Sequence, residues 1–436
     1  MIATLVSLAL YAQAPSSGGA LFDADKTFTV IAGVLEWKDP TLAKFSKVHR
    51  KDEELDGVLG KRGVASSRRT LLLDAAATTA AIRAALEKAI AAAGPGATLV
   101  FYYAGHGIQR AGGNIIFASY DVSAGEAEKT GLVLKELVPL FVDGAKKRFK
   151  GKRVILFADC CYSGGLGAVA KSLNAAGIDA VALTSADDSN TSTGNWTFSQ
   201  TLIDALNGRS ICDRNDDGKI TLQELASEVK DAMKNREQQR FGYTIGGVSE
   251  GAIVADAVKE TLPYPAGSGE YARRNWVQAP HAGKGGRNAV ARILATKQSG
   301  DDVFVSFYDY SDESKDWVPK ARANPVKLET YGIGTRLDVT WNGVVYEAEV
   351  VKVEDDFHYV TYPGWGHEWD EWVGGARIVG VRGKDAKPRG KPVKVEWGGT
   401  WWDAVLKNEQ GGKYCVHYVG YDDSWDECVV ASRLRQ

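Results

Sequence analysis

Short apolar runs at 27–34, 70–73, 98–104, 114–118, 153–158 and 179–184 carry the β-branched and aromatic residues of buried strands. Between and beyond them, a helical apolar period predicts helices over 45–59, 78–93, 132–145, 196–207 and 221–234. Strand alternating with helix over 26–260 predicts an α/β sandwich around a mostly parallel sheet. The PYPAGSG stretch at 263–269 then reads as a linker, placed at 261–270. Beyond it the pattern changes to tryptophan, short strands and turns. VSFYDYSDESKDWV at 305–318, VTYPGWGHEWDEWV at 360–373 and VHYVGYDDSWDECV at 416–429 repeat one another. Upstream, WNGVVYEAEV at 341–350 parallels WGGTWWDAVL at 397–406, a repeat of about fifty residues. Three small barrels in series are predicted, over 271–328, 329–381 and 390–436.

The 436 residues exceed one ordinary domain, and 44% hydrophobic content supplies more than one core. Charge is balanced at 53 Lys+Arg against 55 Asp+Glu, so nucleic acid is not an expected partner. The basic run at 382–394 is brief. Five cysteines, two of them adjacent, are too few for a disulfide scaffold; Cys415 and Cys428 are a possible pair if the chain is exported. The apolar N-terminus leads to Ala12-Gln13-Ala14, a small-residue cleavage pattern. Residues 1–14 are therefore read as a signal peptide, with a secreted or periplasmic location. Read instead as a frayed end, the same stretch leaves a cytoplasmic chain. No stretch is long and apolar enough for a transmembrane anchor.

Two apolar runs break into glycine where their last residues must face solvent. TLVFYYAGHGIQ at 98–109 presents His106 between glycines, and RVILFADCCYSGG at 153–165 presents Cys161. The thiolate is the reactive form of cysteine, and a neighbouring imidazole can accept its proton and later protonate a leaving amine. Reacting groups collect at the carboxyl ends of parallel strands. Singly, a histidine between glycines is a turn and a buried cysteine an inert hydrophobe; together at two strand ends they suggest a cysteine peptidase.

YAGHG followed about fifty residues later by DCCYSGG resembles the caspase-like peptidases, and within them the bacterial metacaspase or orthocaspase branch. The resemblance implies a caspase-like α/β/α sandwich, followed here by three small SH3-like β-barrel repeats. It also implies a Cys161/His106 dyad, with the amides of Gly107 and Cys161 as oxyanion donors. Cys161 rather than Cys160 fits the family's Asp-x-Cys-x-Ser-Gly pattern. VHRKDEELDGVL at 48–59 resembles the segment that floors the substrate pocket, which maps to Asp52, and Asp159 maps to the second acid. Two carboxylates there select protein or peptide substrates with Arg or Lys before the scissile bond. Tyr162 stands where many relatives have His, and Ala104 where many have Ser. Asp121 matches one acid of the family's calcium site, but LGAVAKS at 166–172 lacks its companions. The competing reading is a catalytically weak scaffold whose barrels act as a binding module.

DRNDDGKITLQE at 213–224 fits the EF-hand template, predicting Ca2+ at Asp213, Asn215, Asp217, the Lys219 carbonyl and Glu224. In the repeats, aromatics interleave with acids, as a cationic or methylated ligand requires. This pattern resembles Tudor-knot, chromo-barrel or Agenet modules. Trp365 and Trp369, with Tyr421 and Trp425, are the expected ligand-facing positions, while most other aromatics are expected to fill small cores. Ser314 replaces the equivalent tryptophan in the first repeat.

Overall fold

A computed structural model describes residues 19–110, 113–144, 146–259, 265–308, 313–341, 344–382, 392–410, 413–418 and 425–435. The signal-peptide segment 1–14 and Tyr421 lie outside the described residues. Six strands form the main sheet: β1 (Thr27–Gly33), β2 (Arg69–Leu73), β3 (Thr98–Ala104), β4 (Arg153–Asp159), β5 (Asp179–Thr184) and β6 (Gly242–Gly246). Their order is β6-β5-β4-β3-β1-β2, parallel except for β6, which runs antiparallel on β5. Both faces are covered, which explains why β3 and β4 read as unbroken apolar runs.

Alternate residues divide between two cores. Leu99, Phe101, Tyr103, Leu156 and Ala158 pack with helices α2 (Thr79–Ala92) and α3 (Leu166–Ala175). Val100, Tyr102, Ile155 and Phe157 pack with α1 (Lys51–Lys61), α4 (Thr197–Leu206) and α5 (Leu222–Ala232). The packed chain begins before residue 26: Leu21 is buried, and its N–H donates to the Ile253 carbonyl at 2.7 Å.

Three expected elements differ. The run at 114–118 becomes Asn114–Phe117, the middle of a separate antiparallel sheet with Gly107–Arg110 and Leu132–Val133. The helix expected over 132–145 breaks into that short strand, single helical turns and a small hairpin. Pro139, tolerated only in a first turn, and β-branched Val133, Val138 and Val142 explain the interruption. The helix expected from 45 starts only at Lys51, because Phe45 is drawn to Leu35 by a backbone hydrogen bond of 2.9 Å.

The C-terminal part contains three five-stranded antiparallel sheets. In each, four strands form a meander and a short fifth strand returns to pair with the first: Asn324–Pro325 on Trp276–Pro280, Ile378–Val381 on Arg336–Trp341, and Leu434–Arg435 on Pro392–Trp397. Each long second strand has an irregularity near its middle, and each sheet has its own small core. Repeats two and three share a tie absent from the sequence reading. Tyr362 and Tyr418 donate to Glu371 and Glu427, which also pair with Arg377 and Arg433. Repeat one has Phe307 at the tyrosine position, and Ser314 bonds His281 at 2.8 Å.

The repeats dock on the α/β domain through charge. Arg292 of repeat one pairs with Glu228 of α5 in a buried salt bridge, and its guanidinium lies 4.9 Å from the Trp276 ring centroid. In repeat two, Asp355 and Asp356 pair with Lys230 and Lys234 at 2.7 Å, and the Arg240 guanidinium lies 3.9 Å over Trp372.

Candidate active site

The sheet register brings the two expected groups together. Ala104, the last residue of β3, pairs with Asp159, the last of β4. His106 and Cys161 each follow by two residues, and both line one cavity of about 390 Å³. Strand alternation separates the adjacent cysteines. Both border the cavity, but Cys160 continues the face of β4 that packs in the α2/α3 core and is buried, whereas Cys161 passes the strand end and is part-exposed. Tyr162 then adopts φ 55°, a left-handed conformation rare outside glycine and common where a site holds strain. Gly107 touches the backbone of Cys161: a Cβ there would fall 1.8 Å from the Cys161 carbonyl oxygen. The turn thus excludes any side chain beside Cys161.

His106 is held from several sides. Its ring lies between Trp37 and Phe45, at centroid distances of 4.4 and 4.7 Å. Nε2 meets the Ala43 carbonyl at 2.8 Å. A carbonyl only accepts, so Nε2 carries a proton and Nδ1 of the neutral ring is left as the base. Burial lowers the His106 pKa, opposed by the Ala43 bond. Burial also pushes the Cys161 thiol up, opposed by the Ser192 amide and more weakly by the Arg377 guanidinium. Burial thus disfavours the charged form of both groups. The Ser192 N–H donates to Cys161 Sγ at 3.2 Å. Its loop is fixed by Glu237, which accepts from Thr193 at 2.6 Å and Asn195 at 2.7 Å. Ala43 and Ser192 act through backbone atoms, which no side-chain motif reveals. For Ser192 the nearest signal is the polar run at 185–195 after β5; nothing in the sequence marks Ala43.

Asp159 lines the same cavity and is buried. It accepts from Ser199 N–H at 3.1 Å and Ser199 Oγ at 2.7 Å, both at the start of α4. Desolvation nevertheless raises its pKa to about 6. Asp52 is placed differently from the expectation. It is 1% exposed and does not line the Cys161 cavity; Arg50 holds both its oxygens, at 3.0 and 2.7 Å, and also reaches Asp74 at 2.6 Å. Its carboxylate stands over Gly33, where a Cβ would fall 1.6 Å from Oδ2. In the register Gly33–Ala104–Asp159, Ala104 therefore separates the two acids.

The acidic loop 213–224 is folded on its own amides. Asp213 accepts from Asp217 and Gly218 N–H, and Asp217 accepts from Lys219 N–H. Asp121, by contrast, accepts from Thr79 N–H at 2.9 Å, at the start of α2. Both Glu224 oxygens are engaged, one by the Arg214 and Asn215 amides and the other by Thr221 as a helix capping box. Arg274 of repeat one reaches the Asp213 carbonyl and Asp216. Among the described residues no three acidic, histidine or cysteine side chains are gathered as a metal ligand set. The donors at Asp213, Asn215 and Asp217 suit a hard cation, but Glu224 must leave its present partners to join them.

Repeat two supplies part of the wall of the Cys161 cavity through Thr340, Trp341 and Arg377. Trp365 and Trp369 are about half exposed, as is Trp425 of repeat three, which stands at 86° to Trp397. Cys415 and Cys428, opposite each other in repeat three, form a disulfide. Among the described residues no helix is long and apolar enough to cross a membrane.

Comparison with known proteins gives the domain its class. The profile of the family described as Caspase domain matches residues 49–259. The match supports a caspase-like fold of the cysteine-peptidase type for this stretch. A NuA4 complex subunit EAF3 homolog of Drosophila melanogaster is 30% identical over 79 residues, covering 15% of this chain and 19% of its own length. The chain thus spans about a fifth of that curated relative. Among solved structures, caspase-1 of Spodoptera frugiperda is 13% identical with TM-score 0.37, covering 59% of this chain and all (100%) of its own. A protein of Geobacter sulfurreducens is 17% identical with TM-score 0.36, covering 51% and 94%.

Proposed function

From the caspase-type domain at 49–259, we propose a metacaspase-type endopeptidase that hydrolyses the peptide bond after Arg or Lys. The observation that carries this reading is one cavity lined by His106, Cys161 and the buried carboxylate of Asp159. A substrate guanidinium or ammonium entering beside Asp159 compensates the burial of its charge. Arg50 neutralises Asp52, so Asp159 is the acid available to the substrate.

As Cys161 Sγ attacks the carbonyl carbon, Nδ1 of His106 takes the thiol proton. The carbonyl electron pair becomes an oxyanion, which the Gly107 and Cys161 N–H groups stabilise. On collapse the C–N bond breaks, the imidazolium proton passes to the leaving amine, and a thioester remains. Water then attacks the thioester with His106 as base, releasing the acid and restoring the thiol.

The three C-terminal sheets are proposed as SH3-like barrels that recruit substrate or partner through a cationic or methylated side chain. Calcium is proposed only for the loop at 213–224, where it neutralises clustered oxygens and takes no part in hydrolysis. The Cys415–Cys428 bond supports export to an oxidising compartment.

Fluorogenic peptides ending in Arg, Lys or Asp, assayed with calcium and with chelator beside Cys161→Ala, test the reading. Arg and Lys cleavage is expected, absent in the variant. Cleavage after Asp overturns the specificity. Silence from folded protein favours the scaffold, and a rate indifferent to chelator removes calcium from activity.

A further inference from the structure

The Cys161 cavity meets a second, larger one of about 680 Å³. Gly107 and Tyr162, the residues after His106 and Cys161, line the second cavity, and Trp341 walls both. The far side belongs to repeat two. Trp341 faces Trp369 at 6.1 Å and 68°, Trp369 faces Trp365 at 5.7 Å and 78°, and Trp365 faces Tyr346 at 5.8 Å and 85°. Rings at such angles form the walls of an open box rather than a stack. Trp365 and Trp369 remain 53% and 48% exposed, so these rings do not serve the repeat's core. Asp370 lines the same cavity; one oxygen pairs with His367 at 3.0 Å, and the other is buried without a hydrogen-bond partner. Glu371 is neutralised by Arg377, so Asp370 beside the rings and Asp188 on the opposite wall supply the negative charge, while Arg110 on the domain side bonds the Ala124 carbonyl.

We propose that this box is the leaving-side subsite of the peptidase and takes a cationic side chain, an ammonium or guanidinium, just beyond the scissile bond. The assignment rests on the peptidase reading above. With Arg beside Asp159 and the carbonyl at Cys161, the departing chain runs past Gly107 and Tyr162 into the second cavity. Ring faces and a carboxylate together attract a cation there. Substrates are therefore selected by two positive side chains that flank the cut, and the second is read by repeat two. Each extended residue advances the chain by about 3.3 Å, so walking one Lys along the leaving side locates the box.

The test uses the full chain and peptides with one Arg before the bond, with a single Lys walked through the first four positions beyond it and Ala as parent. The readouts are kcat/KM and, independently, anisotropy of labelled peptides on Cys161→Ala protein. At one position Lys is expected to improve both by about tenfold over Ala. That Lys-to-Ala ratio is expected to fall to about one in Trp365→Ala, and substantially in Asp370→Asn, which spares the aromatic packing. Cleavage with no Lys preference at any position overturns the subsite and leaves the peptidase standing. A preference that survives both substitutions also overturns it. Failure of every peptide to be cleaved overturns the peptidase reading and the leaving-side assignment with it.

Discussion

Replacing Asp159 with Asn should stabilise the protein and damage its selectivity at once. The carboxylate is buried at the end of β4 and held by Ser199 N–H and Oγ, yet desolvation raises its pKa from 3.8 to about 6. The folded state thus favours the neutral acid. This stabilisation is fully present below the unfolded value and is lost as pH rises through the folded one. The difference corresponds to about 3 kcal/mol by pH 7 and above. An Asn side chain keeps an acceptor for Ser199 without the charge. Near pH 4 the two proteins should have similar stability, with a gap in favour of Asp159→Asn opening towards pH 7. Urea unfolding followed by tryptophan fluorescence across that range measures it. In the same variant, preference for Arg over an uncharged side chain of similar length should fall by about 2–5 kcal/mol, the range for truncating one member of a buried charge pair. That is at least about thirtyfold in kcat/KM. In the unaltered enzyme, kcat/KM for Arg substrates should fall as pH drops through about 6, where Asp159 loses its charge. A variant less stable than its parent at pH 8, or one retaining its preference for Arg, refutes the reasoning.

Gly107→Ala places a methyl 1.8 Å from the Cys161 carbonyl oxygen, so the turn must shift and kcat should fall by about 10²–10³, read from Arg-peptide hydrolysis. Arg292→Met leaves Glu228 buried without its main partner and should cost about 3–5 kcal/mol in urea unfolding. Adding Glu228→Gln should restore most of that loss; equal destabilisation in the double variant would show that packing over Trp276, not charge, holds repeat one.

Five strands of the main sheet and the two strand ends were legible because burial on both faces demands long apolar runs, and the chemistry begins where those runs stop. Three other features rest on information absent from local pattern. Ala43 and Ser192 serve through backbone atoms, so their side chains are silent. Asp52 carries the residue type expected of a pocket floor, but Arg50, two residues earlier, reaches both oxygens and Asp74 together. The aromatic spacing of repeat two indicated exposed tryptophans but not what they face.

That orientation comes from contacts across the chain. Helix α5 carries Glu228, paired with Arg292 of repeat one, and Lys230, paired with Asp355 of repeat two; Lys234 just beyond it pairs with Asp356. At the next turn Gln238 adopts φ 51°, and its carbonyl lies where a Cβ on Gly374 would be, 1.7 Å away. Arg240 follows, under Trp372 and bonded to Asp187 in the loop after β5. One short stretch, 228–240, therefore fixes both repeats against the domain and reaches the loop that carries Ser192. For repeat two no single ion pair explains the placement, because exposed pairs such as Lys230–Asp355 each contribute about 1 kcal/mol or less. The fixed points are the close backbone approach at Gly374 and the guanidinium stacked on Trp372. With these in place, Trp341 and Arg377 come to line the Cys161 cavity, making repeat two part of the cleft rather than a tethered appendage.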